Sequence, residues 1–222
     1  MARKSKNRSR NPYIVVFWEG ESEQQYFMFI KDKFHEKTNL KIHNKKGTFD
    51  IAKKSVSAKG VYKDDVDYIE YIDEIWFVFD SEVDLRPKWQ ENWEIIKLLR
   101  KKCKNAKVRL LMTKGCIEYF FLLHYEKTAP MISTTVDKEK VLNILADDKH
   151  CPGYKKGDRI TIWKIAENYI TAIKNGEWCL NRVKDELATA SNEDDKTKIL
   201  YFTDSTFTNV HEVLGELEQL IN

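Results

Sequence analysis

Hydrophobic residues fall in short unbroken runs in the first half of the chain and at helical spacing in the second. The runs 13–18 (Tyr-Ile-Val-Val-Phe-Trp), 74–79 (Glu-Ile-Trp-Phe-Val-Phe) and 108–112 (Val-Arg-Leu-Leu-Met) have strand length and β-rich composition. Apolar residues at successive positions mark strands covered on both faces, the habit of a parallel sheet wrapped by helices. Between them, 22–34 carries Tyr26, Phe27, Phe29, Ile30 and Phe34 at helical spacing, with Ser22 as the expected cap. The pattern also predicts a strand over 40–43 and a helix over 49–58 with Lys53 and Lys54 outward. A helix over 89–102 is entered through Pro87, and another covers 117–125. Past residue 128 helices are expected over 138–146, 162–175, 178–190 and 210–221, with one more strand over 199–202. Pro152, Gly153 and Gly157 mark a loop over 151–158. Strands alternating with helices give an α/β fold, a mostly parallel sheet flanked by helices with a helical C-terminal part. We divide the chain into a basic flexible arm over 1–11, an α/β core over 12–130 and a mainly helical region over 131–222 packed on the core.

Charge refines this division. The net charge of +3 looks balanced, but Arg3, Lys4, Lys6, Arg8 and Arg10 fall in the first ten residues without an acid, and the remainder is at −2. No apolar run is long enough to span a membrane, and the run after the basic start meets Glu19 too soon for a secretory signal. A cytoplasmic location is expected. Cys103, Cys116, Cys151 and Cys179 are far apart with no C-x-x-C pair, so free thiols are expected. His150 and Cys151 alone make a poor zinc site and are read as loop residues.

The acids after the strands are the first chemical signal. Glu19 follows the first strand, Asp80, Glu82 and Asp84 follow the middle one, and Glu118 opens the helix after the last. In an open parallel sheet the carboxyl ends of the strands border a shared crevice. Carboxylates gathered there repel one another, and a hard divalent cation such as Mg2+, or Mn2+ in its place, relieves the repulsion. Acids after strands are also ordinary solvated caps, a description that suits Glu23, Asp73, Glu74 and Asp84. Glu118 suits it least, because its helix Ile117-Glu-Tyr-Phe-Phe-Leu-Leu-His124 is apolar nearly all round. A buried acid needs a partner, and a metal, Lys114 or a helix N-terminus could each serve.

Basic residues form a second signal. The segment 97–109 carries seven, including Lys101 and Lys102, and no acid. A looser group holds Lys45, Lys46, Lys53, Lys54, Lys59 and Lys63, and Lys155, Lys156 and Arg159 mark the Pro/Gly loop. Such runs are ordinarily solvated faces, but around an acidic metal crevice they would track phosphates. Tyr62 and Tyr154 could stack on bases, whereas Trp89 and Trp93 suit core packing. No P-loop and no G-x-S-x-G elbow occurs. His124 reads as a structural histidine with a secondary candidacy for the site.

The segments Val16-Phe-Trp-Glu-Gly-Glu-Ser-Glu-Gln-Gln-Tyr-Phe27, Trp76-Phe-Val-Phe-Asp-Ser-Glu82, Cys116-Ile-Glu-Tyr-Phe-Phe-Leu-Leu-His124, Tyr154-Lys-Lys156 and Thr206-Phe-Thr-Asn-Val-His211 resemble, in order and spacing, the RloB/AbiLii family of bacterial defence proteins. That family is similar to the Toprim fold of topoisomerases, primases and OLD-type nucleases. The resemblance implies that Glu19 is the acid-base or metal glutamate and Asp80 the principal metal ligand. Glu82 stands where the second aspartate of the Toprim pair would be, a departure. Glu118 and Glu23 match further acids of the family, Glu23 as a secondary candidate. The resemblance also implies a neighbouring ABC-type ATPase partner and attack on RNA, tRNA in particular.

The expected function is therefore a Mg2+-dependent nuclease effector of an anti-phage abortive-infection system, acting on RNA in preference to DNA. Glu19, Asp80, Glu82 and Glu118 would be catalytic, with Glu19, Asp80 and Glu82 on the metal. Lys114, Lys155, Lys156, Arg159, Lys101 and Lys102 would meet nucleic acid. The alternatives are a catalytically degenerate Toprim-like subunit that docks on the ATPase or nucleic acid, and a small-molecule phosphohydrolase. A homodimer is allowed and a membrane is not expected.

Overall fold

The computed structural model describes residues 10–56, 71–104 and 106–221. Its strands are β1 (Tyr13–Trp18), β2 (Asn39–Ile42), β3 (Glu74–Ser81) and β4 (Lys107–Lys114). The helices are α1 (Glu21–Lys33), α2 (Phe49–Val56), α3 (Trp89–Lys102), α4 (Ile117–Leu122), α5 (Thr135–Leu145), α6 (Arg159–Ala166), α7 (Tyr169–Asn181), α8 (Lys184–Leu187), α9 (Glu193–Phe202) and α10 (Val210–Gln219). A 3-10 turn, Val83–Lys88, joins β3 to α3.

The four strands form one sheet in the order β2-β1-β3-β4, each neighbouring pair parallel. Chain order fixes what lies on each face. β1 reaches β2 through α1 in one direction along the sheet. The segment holding α2 and then α3 carry the chain back the other way. Right-handed crossovers put α1 on one face and α2 with α3 on the opposite one, and α2 indeed packs on α3 while α1 packs on α6. Both faces of the central strands are thus covered, which is why Ile14 to Trp18 and Ile75 to Phe79 are buried without interruption. The winding direction reverses between β1 and β3, so the crevice of the sheet opens at the carboxyl ends of those two strands.

The helices after residue 130 share one hydrophobic cluster with the sheet, through Val141, Ile162, Leu200 and Val213 among others. One element of this region guards the sheet edge. Asn209 takes the β4 backbone on its side chain, accepting from Met112 N at 2.6 Å and donating to Leu110 O at 2.9 Å, while Lys114 N donates to Phe207 O at 2.9 Å. The edge of β4 is thereby closed to other strands.

Several expectations are corrected. The segment 199–202 is not a strand but the end of α9. Asn192 caps that helix by accepting from Asp195 N, and Glu193, Asp194 and Asp195 favour its first turn. The expected helix 162–175 is two helices. α6 begins earlier, where Asp158 accepts from Thr161 N, and ends at Ala166, after which α7 runs on to Asn181. The expected helix 178–190 divides between α7 and the short α8. Ser22 does not cap α1; Gly20 occupies that position and makes no side-chain bond. Of the segment 1–11, only Arg10 and Asn11 are among the described residues: Arg10 meets Asp73 at 3.1 Å and Asn11 donates to Glu36 O. Lys59, Tyr62 and Lys63 lie outside the described residues, as do positions 1–9. All four cysteines are free and buried. His150 pairs with Asp147 at 2.7 Å, in keeping with a loop residue.

Candidate active site

Three strand ends build one crevice of about 470 Å³, lined by Glu19, Glu21, Ser22, Glu23, Lys46, Asp80, Glu118 and Lys156 among others. Glu19 is the first residue past β1. Its backbone N–H continues the ladder to Val78 O at 3.1 Å, and its Oε2 accepts from Asp80 N at 3.1 Å. The two acids are therefore locked together across the two central strands. Gly20 lets the chain turn here with Glu23 folded back against it. A Cβ on Gly20 would stand 2.6 Å from a Glu23 carboxylate oxygen. Glu23 itself is 3% exposed.

Glu118, 2% exposed, comes from the first turn of α4. Its carboxylate accepts from the Tyr154 hydroxyl at 2.9 Å and meets Lys156 Nζ at 3.6 Å. The loop that delivers Tyr154 and Lys156 is anchored to α1, because Gly157 N donates to Ser22 Oγ at 3.1 Å. Gly157 has φ +73°, and a side chain there would meet Glu21 at 2.8 Å. Ser22 thus holds the loop rather than the helix end.

These carboxylates carry too little neutralising charge. Burial lifts Glu23 to about 7, assisted by Glu118 and Glu19. Burial also lifts Glu19, partly offset by the Asp80 N–H bond. Asp80 is held well above the ordinary carboxylate range by burial, then by the charges of Glu23, Glu19, Glu118 and Glu82. The residue as a whole is half-buried, but its Oδ1 is shut off from water with no hydrogen-bond partner. A buried acceptor left unpaired costs on the order of 1–3 kcal/mol. Among the described residues no three His, Cys, Asp or Glu side chains form a ready-made coordination shell. Mg2+ does not require one, since it is commonly held by one or two carboxylates and keeps several waters. The orphaned Asp80 oxygen, the all-oxygen donor set and the crowding of negative charge fit a hard divalent cation.

The model of one family, RloB-like protein, matches residues 14–217. The chain belongs to the RloB-like protein family. No curated protein and no solved structure matches it. The remaining candidate residues of this RloB-like chain fall into three groups. Glu82 stands at the edge of the crevice, bonded to Lys138 of α5, and lines a neighbouring cavity instead. Lys155 and Arg159 are exposed beside Lys156, with the Arg159 guanidinium 4.2 Å over the Trp163 ring. The others lie elsewhere. Lys101 and Lys102 end α3, which runs back to the amino ends of the strands, the opposite end of the sheet from the carboxylates. Lys114 is buried and donates to Thr203 O at 2.8 Å, so it is not the partner of Glu118. His124 is structural. Burial lowers it to about 3, its Nε2 faces the Tyr26 hydroxyl at 2.9 Å, and its ring packs on Phe120.

Tyr154, which could have stacked on bases, instead packs its ring edge-on to Phe121 and gives its hydroxyl to Glu118. Trp89 and Trp93 stack on each other at 5.1 Å, as core packing predicts. Sequence reasoning missed Lys46 and Lys138 as members of this region, and both temper the charge on Glu19. Lys46 sits in a basic group that was visible, but nothing in the sequence pairs it with Glu19.

Proposed function

We propose that this RloB-like protein is a Mg2+-dependent nuclease that hydrolyses phosphodiester bonds, RNA in preference to DNA, as an effector of bacterial anti-phage defence. The observation that carries the reading is the convergence of Glu19, Glu23, Asp80 and Glu118 around an unpartnered Asp80 oxygen at the point where the winding of the sheet reverses. The placement of Glu19 just past β1 and Asp80 at the carboxyl end of β3 agrees with what the Toprim resemblance implies. The preference for RNA and the defence role rest on the family resemblance alone.

Glu19 and Asp80 would hold the cation, which when bound neutralises charge on the phosphoryl group and lowers the pKa of water. The chain supplies the rest. Glu23, with its carboxyl near neutrality, can take or return a proton at physiological pH. Lys156, exposed at the lip, offers its ammonium to a substrate phosphate while holding Glu118. Tyr154 fixes the orientation of Glu118 by its hydroxyl.

A second reading, a catalytically silent binding subunit, is favoured by one feature: Glu82, at the place of the second Toprim acid, is neutralised by Lys138. Incubation with tRNA, single-stranded RNA and duplex DNA, in Mg2+ or EDTA, separates the two. The nuclease reading expects Mg2+-dependent cleavage of RNA that is lost, by at least about a hundredfold, in Glu19→Ala and Asp80→Ala proteins that remain folded. Binding that survives EDTA, with no cleavage under Mg2+ or Mn2+, would establish the second.

A further inference from the structure

Beside the acidic crevice lies a second cavity of about 340 Å³, between the ends of β3 and β4 and the start of α5. Ser81, Glu82, Lys114, Ser133, Thr135 and Lys138 are among its lining residues. The two cavities are neighbours across the Glu82–Lys138 ion pair, whose charges are both felt by Asp80 and Glu19 in the crevice.

The unusual member is Lys114. Its residue is 4% exposed, yet its ammonium makes one hydrogen bond, to the Thr203 carbonyl, and no ion pair with a carboxylate among the described residues. Lysines this buried are almost always paired with an acid. The surrounding charges are otherwise matched: Arg86 bonds Asp204 at 2.6 Å, and Lys138 bonds Glu82. An ammonium has three donors, so two remain for a ligand. β3 and β4 are paired Asp80 to Thr113 and Ser81 to Lys114. Lys114 therefore sits one strand over and one residue beyond Asp80. The lining includes exposed Val83, apolar surface on which a sugar or base can rest.

The geometry points to this cavity as a substrate subsite that takes a phosphate of the polynucleotide adjacent to the one in the acidic crevice, with Lys114 as the buried anchor. The strand would run across the ends of β3 and β4, past the Glu82–Lys138 pair. This inference rests on the proposed function only in taking a polynucleotide as ligand; its test reads binding, so loss of cleavage and loss of the subsite are told apart.

The experiment measures affinity of the full-length chain for a fluorescent single-stranded RNA, in EDTA so that no cleavage occurs, over a range of salt concentrations. Lys114→Met replaces the ammonium with an apolar chain of similar length. It is expected to weaken binding about tenfold and to reduce the slope of log affinity against log salt by about 0.7, the contribution of one phosphate contact on a single strand. Lys114→Arg should retain most of both. A merely structural lysine would leave the salt slope unchanged. Thr135→Glu adds a carboxylate to the exposed rim at a helix N-terminus, where an acid is tolerated. It is expected to weaken binding comparably even if Lys114→Met fails to fold. Wild-type affinity and salt slope in folded Lys114→Met, or in Thr135→Glu if the first is unfolded, would overturn the subsite. So would an absence of RNA binding by the wild type. Absence of cleavage by the wild type in a separate incubation with Mg2+, with this binding pattern intact, would overturn the nuclease reading alone.

Discussion

Asp80 is the residue on which the site turns. Its Oδ1 has no donor, and four other acids bear on its charge. Removing that charge should therefore stabilise the metal-free protein even as it disables the site. Asp80→Asn is expected to raise the melting temperature in EDTA, because the amide carries no charge to bury beside the other acids. A lower melting temperature than wild type would mean that Asp80 is satisfied in a way this account omits. The acids of the crevice were legible in the sequence because strand ends are legible: Glu19 and Asp80 follow apolar runs whose limits are unmistakable. Their supporting residues were not. Glu118 visibly needed a partner, but Tyr154 and Lys156 are more than thirty positions away on a loop whose path depends on Ser22 and Gly157. Lys114, close in sequence to Glu118, faces a different cavity, because direction at a strand end depends on pairing register and on what Thr203 offers.

At the scale of elements, patterning identified the buried strands and failed where local signals compete. The β-branched and aromatic residues at 199–202 suggest a strand, but the Asn192 cap and the acids behind it start a helix that carries through them. Gly176 falls in the gap between the helices expected over 162–175 and 178–190, yet α7 runs straight through it, and the reason for the glycine lies on another element. A Cβ there would stand 2.5 Å from the His211 ring of α10. Helix propensity favours alanine over glycine by about 1 kcal/mol, whereas forcing two packed helices apart costs about 1–3 kcal/mol. The clash should win, so Gly176→Ala is expected to lower stability to urea by a net of up to about 2 kcal/mol. An equal or higher urea midpoint would show that the α7–α10 contact adjusts freely. The Thr206 to His211 segment, picked out only by resemblance, has a physical role here: Phe207 and Asn209 close the exposed edge of β4.

For the whole molecule, the crevice predicts how stability responds to pH and metal. Glu23, at about 7 against an ordinary 4.5, keeps its proton in the folded state over a range where the unfolded chain has lost it. The folded state then binds more protons, so this group makes stability fall as pH rises from about 4.5 to about 7. Glu19 and Asp80 act in the same direction. His124 and His211, lowered by burial to about 3 and about 4, act oppositely, losing stability as pH falls below 6.5. Comparing melting with and without Mg2+ cancels the histidines, since neither lies in the crevice. The cation favours ionised carboxylates, so its stabilisation should be small at pH 5 and grow towards pH 8; a shift of equal size at both would argue against binding at these acids. The most direct test is calorimetric titration of Mg2+ into the wild type and Asp80→Asn at pH 7. The account predicts saturable binding to the wild type with release of protons, because burial holds protons on the crevice carboxylates, and loss of that binding in Asp80→Asn. No saturable binding to the wild type, or equal binding to both proteins, would contradict it.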